Sequence, residues 1–289
     1  MFPPIIGMRD MKHRFGWTPD EIPLLGQGTW MIEQNGREQA VAALRFGVEQ
    51  GMTVIDTAEM YGNGQAEEIV GEALAGLRGR VFLVSKVLPS NAFFDGILNA
   101  CERSLKRLRT DRLDLYLLHW PSREPIKETM RGLEELVKRK MTRYIGVSNF
   151  DVDGLKSAQA VLKEQRLACN QVLYHLKDRG IERKLIPYCR EHGIAVMGYS
   201  PFGHGQFPKP QTKAGRVLRQ VAAKEDRTER QVALNFLTRD GVYAIPKAGK
   251  PTHVWENSQA LNWTMSEESV ARIEEAFPRP LGDTPLGMI

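Results

Sequence analysis

Residues 53–86 read TVIDTAEMYGNGQAEEIVGEALAGLRGRVFLVSK, one complete strand–helix–strand unit. TVID (53–56) and VFLVSK (81–86) are short apolar runs that each end on a charged residue. Between them Ile69, Val70, Ala73, Leu74 and Leu77 share one face at helical periodicity. Runs that are apolar throughout, rather than alternating, suit strands buried on both faces of a parallel sheet.

The unit recurs on either side. LLGQGTW (24–30), LDLYLLH (113–119), YIGVS (144–148), NQVLY (170–174), IAVMGYS (194–200) and VYAIPK (242–247) bring the strand-like runs to eight. Most begin 25–35 residues apart, with a longer gap before the last. Met130, Leu133, Leu136 and Val137 mark another amphipathic helix, and Asp151 and Thr228 stand where helix N-caps belong. Eight such repeats predict an α/β protein, a (β/α)8 TIM barrel forming one domain over residues 1–289. A doubly wound sheet would have fewer strands and a glycine fingerprint after the first. Here GQGTW is not GxGxxG, and GNGQAEE follows a turn rather than a strand. Ahead of the barrel, Met11–Phe15 and Glu21–Leu24 flank a Trp-Thr-Pro-Asp turn, which predicts a β-hairpin closing the bottom.

Composition narrows the function. The chain has 289 residues, 42% hydrophobic and 26% charged, enough apolar material for a core. No apolar run approaches the roughly 20 residues of a membrane span, and the N-terminus lacks a signal-peptide pattern. The net charge of +5 is scattered, without the basic stripe that nucleic acid would require. Cys101, Cys169 and Cys189 have no CxxC spacing, so neither a disulfide framework nor a metal site is expected. Cys101 falls in helical register with Ile97, Leu105 and Leu108 as a core residue. Together these features predict a cytoplasmic protein.

In a barrel the chemistry lies where the strands end. The polar residues there are Thr29, Asp56, Lys86, His119, Ser148, Asn149, Gln171, Tyr199, Ser200 and Lys247, with Tyr61 in the loop after Asp56 and Trp30 and Trp120 beside them. Each has an ordinary reading as a cap, a solvated charge or a packing group; in register they converge on one mouth. A phenol needs help to give up a proton near neutral pH. A neighbouring ammonium lowers its pKa, and a carboxylate holds that ammonium charged. A neutral histidine orients a carbonyl by hydrogen bonding. This set protonates a carbonyl oxygen but supplies no hydride, so it calls for a redox cofactor.

The segments IDTAEMYGNGQAEEIVGEAL, LVSKV, TDRLDLYLLHWP, IGVSNF, NQVLYH, GYSP and IPK…EN resemble the aldo-keto reductases, in the same order and over nearly the whole chain, and most of all short bacterial members of the methylglyoxal reductase type. The resemblance implies NAD(P)H-dependent reduction of small aldehydes or ketones. Tyr61 would be the proton donor, Lys86 would depress its pKa, Asp56 would pair with Lys86, and His119 would orient the carbonyl. Ser148, Asn149 and Gln171 would hold the nicotinamide carboxamide, and Tyr199 would stack on its ring. Gly28, Thr29 and Trp30 would approach the cofactor or the substrate, and Ser200, Pro201 and Phe202 the pyrophosphate. Lys247, Glu256 and Asn257 would bind the adenosine end.

Ala248 and His253 depart from the family, which commonly has Ser and Arg there to hold the 2′-phosphate. His253 would still lie at that end, with Lys247 and Lys250 compensating. The expected cofactor is therefore NADPH, with NADH as a second choice. Trp30, Trp120, Phe93 and Phe94 would line the substrate pocket. GHGQFPKPQT (203–212) would border the pyrophosphate, and Leu286, Met288 and Ile289 either edge the pocket or pack on the barrel. The resemblance favours a monomer that meets a small carbonyl substrate, with no membrane or nucleic-acid partner. Two other readings are a nicotinamide-sensing subunit with slow turnover, and a lyase forming a Schiff base on Lys86.

Overall fold

The structure is a computed structural model that describes residues 12–289. Eight parallel strands run in sequence order: β3 (Gly26–Gly28), β4 (Val54–Asp56), β5 (Phe82–Val87), β6 (Leu113–Leu118), β7 (Thr142–Ser148), β8 (Leu167–Leu173), β9 (Ala195–Tyr199) and β10 (Tyr243–Ile245). Single parallel bridges, Leu25 with Ala244 and Gly28 with Lys247, join the last strand to the first. Ala244 N donates to Leu24 O at 2.8 Å and Gly28 N to Pro246 O at 3.1 Å across that seam. Gly28 is needed there, because a Cβ would lie 2.7 Å from Ile245 O. All eight predicted strands are present, with shifted ends. β3 stops at Gly28 because Thr29 turns its hydroxyl back to Asp56 O at 2.9 Å. β8 starts at Leu167 rather than Asn170, since Leu167, Ala168 and Cys169 are buried too.

The helical layer is α1 (Arg37–Glu49), α2 (Gln65–Ala73), α3 (Phe94–Leu108), α4 (Ile126–Lys138), α5 (Val152–Val161), α6 (Leu185–Glu191), α7 (Lys213–Lys224), α8 (Glu229–Thr238), α9 (Pro251–Ser258) and α10 (Glu267–Ala276). The long gap before β10 holds two helices, α7 and α8. Asp151 caps α5 and Thr228 caps α8, the latter with a full capping box to Gln231. Cys101 is buried on α3 as predicted. No helix among the described residues is long and apolar enough to cross a membrane.

The hairpin is β1 (Lys12–Arg14) with β2 (Glu21–Pro23); Met11, the first residue of its expected span, lies outside the described residues. Phe15 meets Phe82 and Tyr243 at 5.0 and 5.2 Å between rings, and Trp17 Nε1 donates to Leu167 O at 3.0 Å. All three partners begin strands, so the hairpin covers the N-terminal end of the barrel and leaves the other end open.

Strand alternation sets up the open end. Phe82 and Val84 join the barrel-interior cluster, while Leu83 and Val87 join the layer beneath the helices. By the same period Lys86 turns inward at the top of β5 and Ser85 outward. Asp56 follows Val54 inward on β4, Gln171 follows Cys169 on β8, and Tyr199 follows Met197 on β9.

Candidate active site

Lys86, with no exposed surface, is the centre of the site. Its Nζ donates to Asp56 Oδ2 at 2.7 Å, to Thr57 O at 2.8 Å and to the Tyr61 hydroxyl at 3.1 Å. Those three bonds use all three ammonium protons. Burial disfavours the charge, but Asp56 and Tyr61 outweigh it and raise the pKa of Lys86. A Schiff base needs a free neutral amine, so the lyase reading does not fit this lysine.

Tyr61 reaches Lys86 through a short turn after β4, Tyr61–Gly64, in which Gly62, Asn63 and Gly64 all have positive φ. Burial pushes the Tyr61 hydroxyl above its ordinary value near 10; Lys86 pulls it down and Asp56 pushes it up. Lys86 thus acts in the expected direction, but the net shift is upward and corrects the expected depression. Its charge is already shared with Asp56, while burial deprives a phenolate of part of its hydration. The phenol is held protonated, which a proton donor requires before it acts. Burial also pushes Asp56 up, against the pull of Lys86 and of Gln171, whose Nε2 donates to Asp56 Oδ1 at 2.7 Å.

His119 follows β6 with its ring edge-on to Tyr61, centroids 5.7 Å apart. Burial, then Lys86, pushes its pKa down to about 2. The imidazole is neutral, its Nδ1 is buried without a partner among the described residues, and the residue lines the small cavity beside Tyr61. Met60, Tyr61, His119, Trp120, Ser148, Asn149, Gln171, Tyr199 and Trp30 line one small cavity of about 60 Å³. Ser148 Oγ donates to Gln171 O at 2.8 Å, Asn149 Nδ2 to His119 O at 3.1 Å, and the Tyr199 hydroxyl to Asn149 Oδ1 at 2.9 Å. Desolvation pushes the Tyr199 hydroxyl up to about 12, so it stays a neutral donor.

A larger cleft of about 300 Å³ runs from Tyr61 and Asp56 past Gly28, Thr29 and Trp30 to Ser200, Pro201, Phe202 and Lys247. The structure therefore gathers the catalytic four and most of the expected cofactor residues. His253, Glu256 and Asn257 do not line it. They lie on α9, where Glu256 accepts from Thr228 at 2.7 Å and Asn257 is buried. Phe93 and Phe94 line neither space. Phe94 starts α3 beneath the Arg131 guanidinium at 4.2 Å, and Phe93 is exposed.

The 203–212 loop, expected at the pyrophosphate, borders the cleft, together with residues that sequence reasoning left unassigned. His204 stacks on Trp30 at 4.6 Å with a left-handed backbone, φ 46°, between two glycines. That Gly-His-Gly run was its only signal. Met31, Gly205 and Ile245 also line the cleft. Of the tail, Ile289 edges the catalytic cavity, Leu286 packs against the core and Met288 is exposed.

A parallel eight-stranded barrel with a Tyr–Lys–Asp chain and a neutral histidine at its open end defines a carbonyl-reducing oxidoreductase. Residues 24–277 match the aldo/keto reductase family, and the chain belongs to it. The chain is 43% identical to the methylglyoxal reductase YeaE of Escherichia coli, over 93% of this chain and 95% of that protein. It is 35% identical to a glyoxal reductase of Bacillus subtilis, over 88% of each. Among solved structures, an aldo/keto reductase of Klebsiella pneumoniae in complex with NADP and acetate superposes with a TM-score of 0.90. The two are 42% identical, over 96% of this chain and 99% of that one.

Proposed function

We propose that this chain reduces small aldehydes, 2-oxoaldehydes such as methylglyoxal among them, to alcohols with NADPH. The observation that carries the reading is the Tyr61–Lys86–Asp56 chain, whose Tyr61 end lines the same cavity as neutral His119. The relatives named for methylglyoxal and glyoxal support the substrate class.

The residues present fit a nicotinamide cofactor. Gln171 commits its amide nitrogen to Asp56, which leaves its carbonyl oxygen to accept from a carboxamide. Ser148 and Asn149 would complete that hold, Tyr199 would give its ring to the nicotinamide, and Lys247 its ammonium to phosphate at the far end of the cleft. His253, Glu256 and Asn257 would continue the site along α9. When bound, the cofactor supplies the hydride that adds to the carbonyl carbon. His119 Nε2–H and the Tyr61 hydroxyl hold the carbonyl oxygen, and Tyr61 gives it the proton. Lys86 steadies the resulting phenolate, and Asp56 keeps Lys86 charged. His119 carries its proton on Nε2, since a buried N–H without an acceptor at Nδ1 is the costlier choice.

We also read the chain as one barrel domain, a cytoplasmic monomer. Three buried, unpaired cysteines agree with a reducing compartment. The test is the loss of reduced-nicotinamide absorbance with methylglyoxal and with 4-nitrobenzaldehyde, using NADPH and NADH in parallel. Oxidation that depends on both enzyme and aldehyde supports the reading. Cofactor binding without turnover of either aldehyde overturns it and favours the sensing subunit.

A further inference from the structure

We propose that Glu67, tied to Ser85 and Arg107, is the positioning residue that sets the separation of Tyr61 from Lys86. The inference rests on the reading of Tyr61 as proton donor.

Glu67 lies in the first turn of α2, just past the turn that carries Tyr61, and its carboxylate has no exposed surface. It touches neither cavity. Oε1 accepts from Ser85 Oγ at 2.6 Å, and Oε2 accepts from Arg107 Nε at 2.6 Å. Ser85 is the neighbour of Lys86 on β5, turned to the helix side where Lys86 turns to the barrel. A displacement of Ser85 is therefore a displacement of Lys86. Arg107, on α3, runs its side chain against Gly64, the last residue of the Tyr61 turn. At Gly64, φ 92°, a Cβ would fall 2.6 Å from Arg107 Cδ. One carboxylate thus joins the strand of Lys86, the helix that follows Tyr61, and the arginine against which that turn closes.

A buried ion pair is a weak device for stability alone, since apolar residues of similar volume often do as well. Its advantage is direction. Two oxygens, each bonded to a different element, fix a distance that a greasy contact leaves soft. Tyr61 needs such a fix, because its turn strings together three residues of positive φ. An error of about 1 Å in a reacting group can cost about 100-fold in rate.

Two variants test this. Glu67→Gln keeps the volume and removes the charge; Ser85→Ala keeps the ion pair and cuts the bond to the strand of Lys86. The readouts are kcat for aldehyde reduction, NADPH affinity by protein fluorescence, and the pH profile of alcohol oxidation. Lys86 from β5, Asp56 from β4, His119 after β6 and Tyr199 on β9 are the titratable groups that face Tyr61. Neither variant alters them. The expected result is a fall in kcat of about 10- to 100-fold with NADPH affinity unchanged. The oxidation profile moves to higher pH by about one unit, because a phenol farther from its ammonium is harder to ionise. On a Tyr61→Phe background Glu67→Gln then has no further effect. A loss of thermal stability with kcat and pH profile intact would show a merely structural residue and overturn the proposal. So would a loss that persists in full beside Tyr61→Phe. If Glu67→Gln does not fold, Ser85→Ala decides by the same profile. Wild-type turnover in Tyr61→Phe alone would sink the donor reading and this proposal with it, whereas inactive Tyr61→Phe beside unperturbed Glu67→Gln sinks only the proposal.

Discussion

Lys86 places its ammonium 3.1 Å from the Tyr61 hydroxyl and 4.8 Å from the centre of its ring. The cation thus meets the proton donor at its oxygen. It favours a phenolate at Tyr61 only once that charge develops, since at rest burial keeps the phenol protonated.

Tyr61→Phe removes the transferable proton and, with the hydroxyl, one of the three acceptors of Lys86. Aldehyde reduction is expected to fall by about 10²- to 10⁴-fold, the usual share of a general acid. NADPH affinity, followed by protein fluorescence, is expected to survive. A variant that turns over at the wild-type rate refutes the assignment.

Lys86→Met leaves Asp56 as a buried carboxylate with no cation. Breaking one side of such a pair costs about 3–5 kcal/mol, so the urea midpoint is expected to drop along with activity. Combining it with Asp56→Asn is expected to restore much of the stability and none of the turnover. If the double variant is no more stable than Lys86→Met, the pair is not the source of the loss.

The folded state holds the His119 pKa near 2 against 6.5 for a free histidine, so it refuses a proton that the unfolded chain accepts. The neutral ring therefore contributes its full stability above about pH 6.5. Below that the contribution is lost by about 1.4 kcal/mol per pH unit. His119→Gln is expected to flatten the fall in urea midpoint between pH 6.5 and 4.5. Catalysis, by contrast, is expected to show no His119 ionisation between pH 5 and 8. A kcat titration near 6.5 that vanishes in His119→Gln would contradict the neutral assignment.

Lys247 ends the cleft with a cation suited to phosphate. Lys247→Met is expected to raise KM for NADPH roughly 10-fold or more, from the loss of about 1.5–3 kcal/mol for a hydrogen bond to a charged group. KM for NADH is expected to move much less. Equal losses with both cofactors would remove Lys247 from 2′-phosphate recognition.

Much of this was readable along the chain. The eight strands show as unbroken apolar runs because each is buried on both sides, and β10 ends where Pro246 has no N–H to give the ladder. Asp56, Lys86 and His119 were legible because each closes such a run, whereas Gln171 lies inside its strand and its role was legible only through the family resemblance. Phe93 and Phe94 misled. They sit in the right connection, but α3 starts at Phe94 and carries its ring to Arg131 instead of the mouth. The segments of His204 and Ile289 were placed only coarsely, since the path of a loop or tail over the barrel is set by what it lands on.

What the sequence alone determined was the barrel, the order of its strands and the chemical type at each strand end. Those follow from periodicity and burial over a few residues at a time. Tertiary structure alone decided how the groups behave. Gln171 lies 115 residues from Asp56 yet holds its carboxylate, and Lys86 spends all three protons on oxygens gathered from the neighbouring strand and its loop. Tyr61 is raised rather than lowered because burial of its hydroxyl outweighs the pull of an ammonium whose charge is shared. A proton's affinity depends on every charge and every lost water around it, and only the closed barrel brings those together.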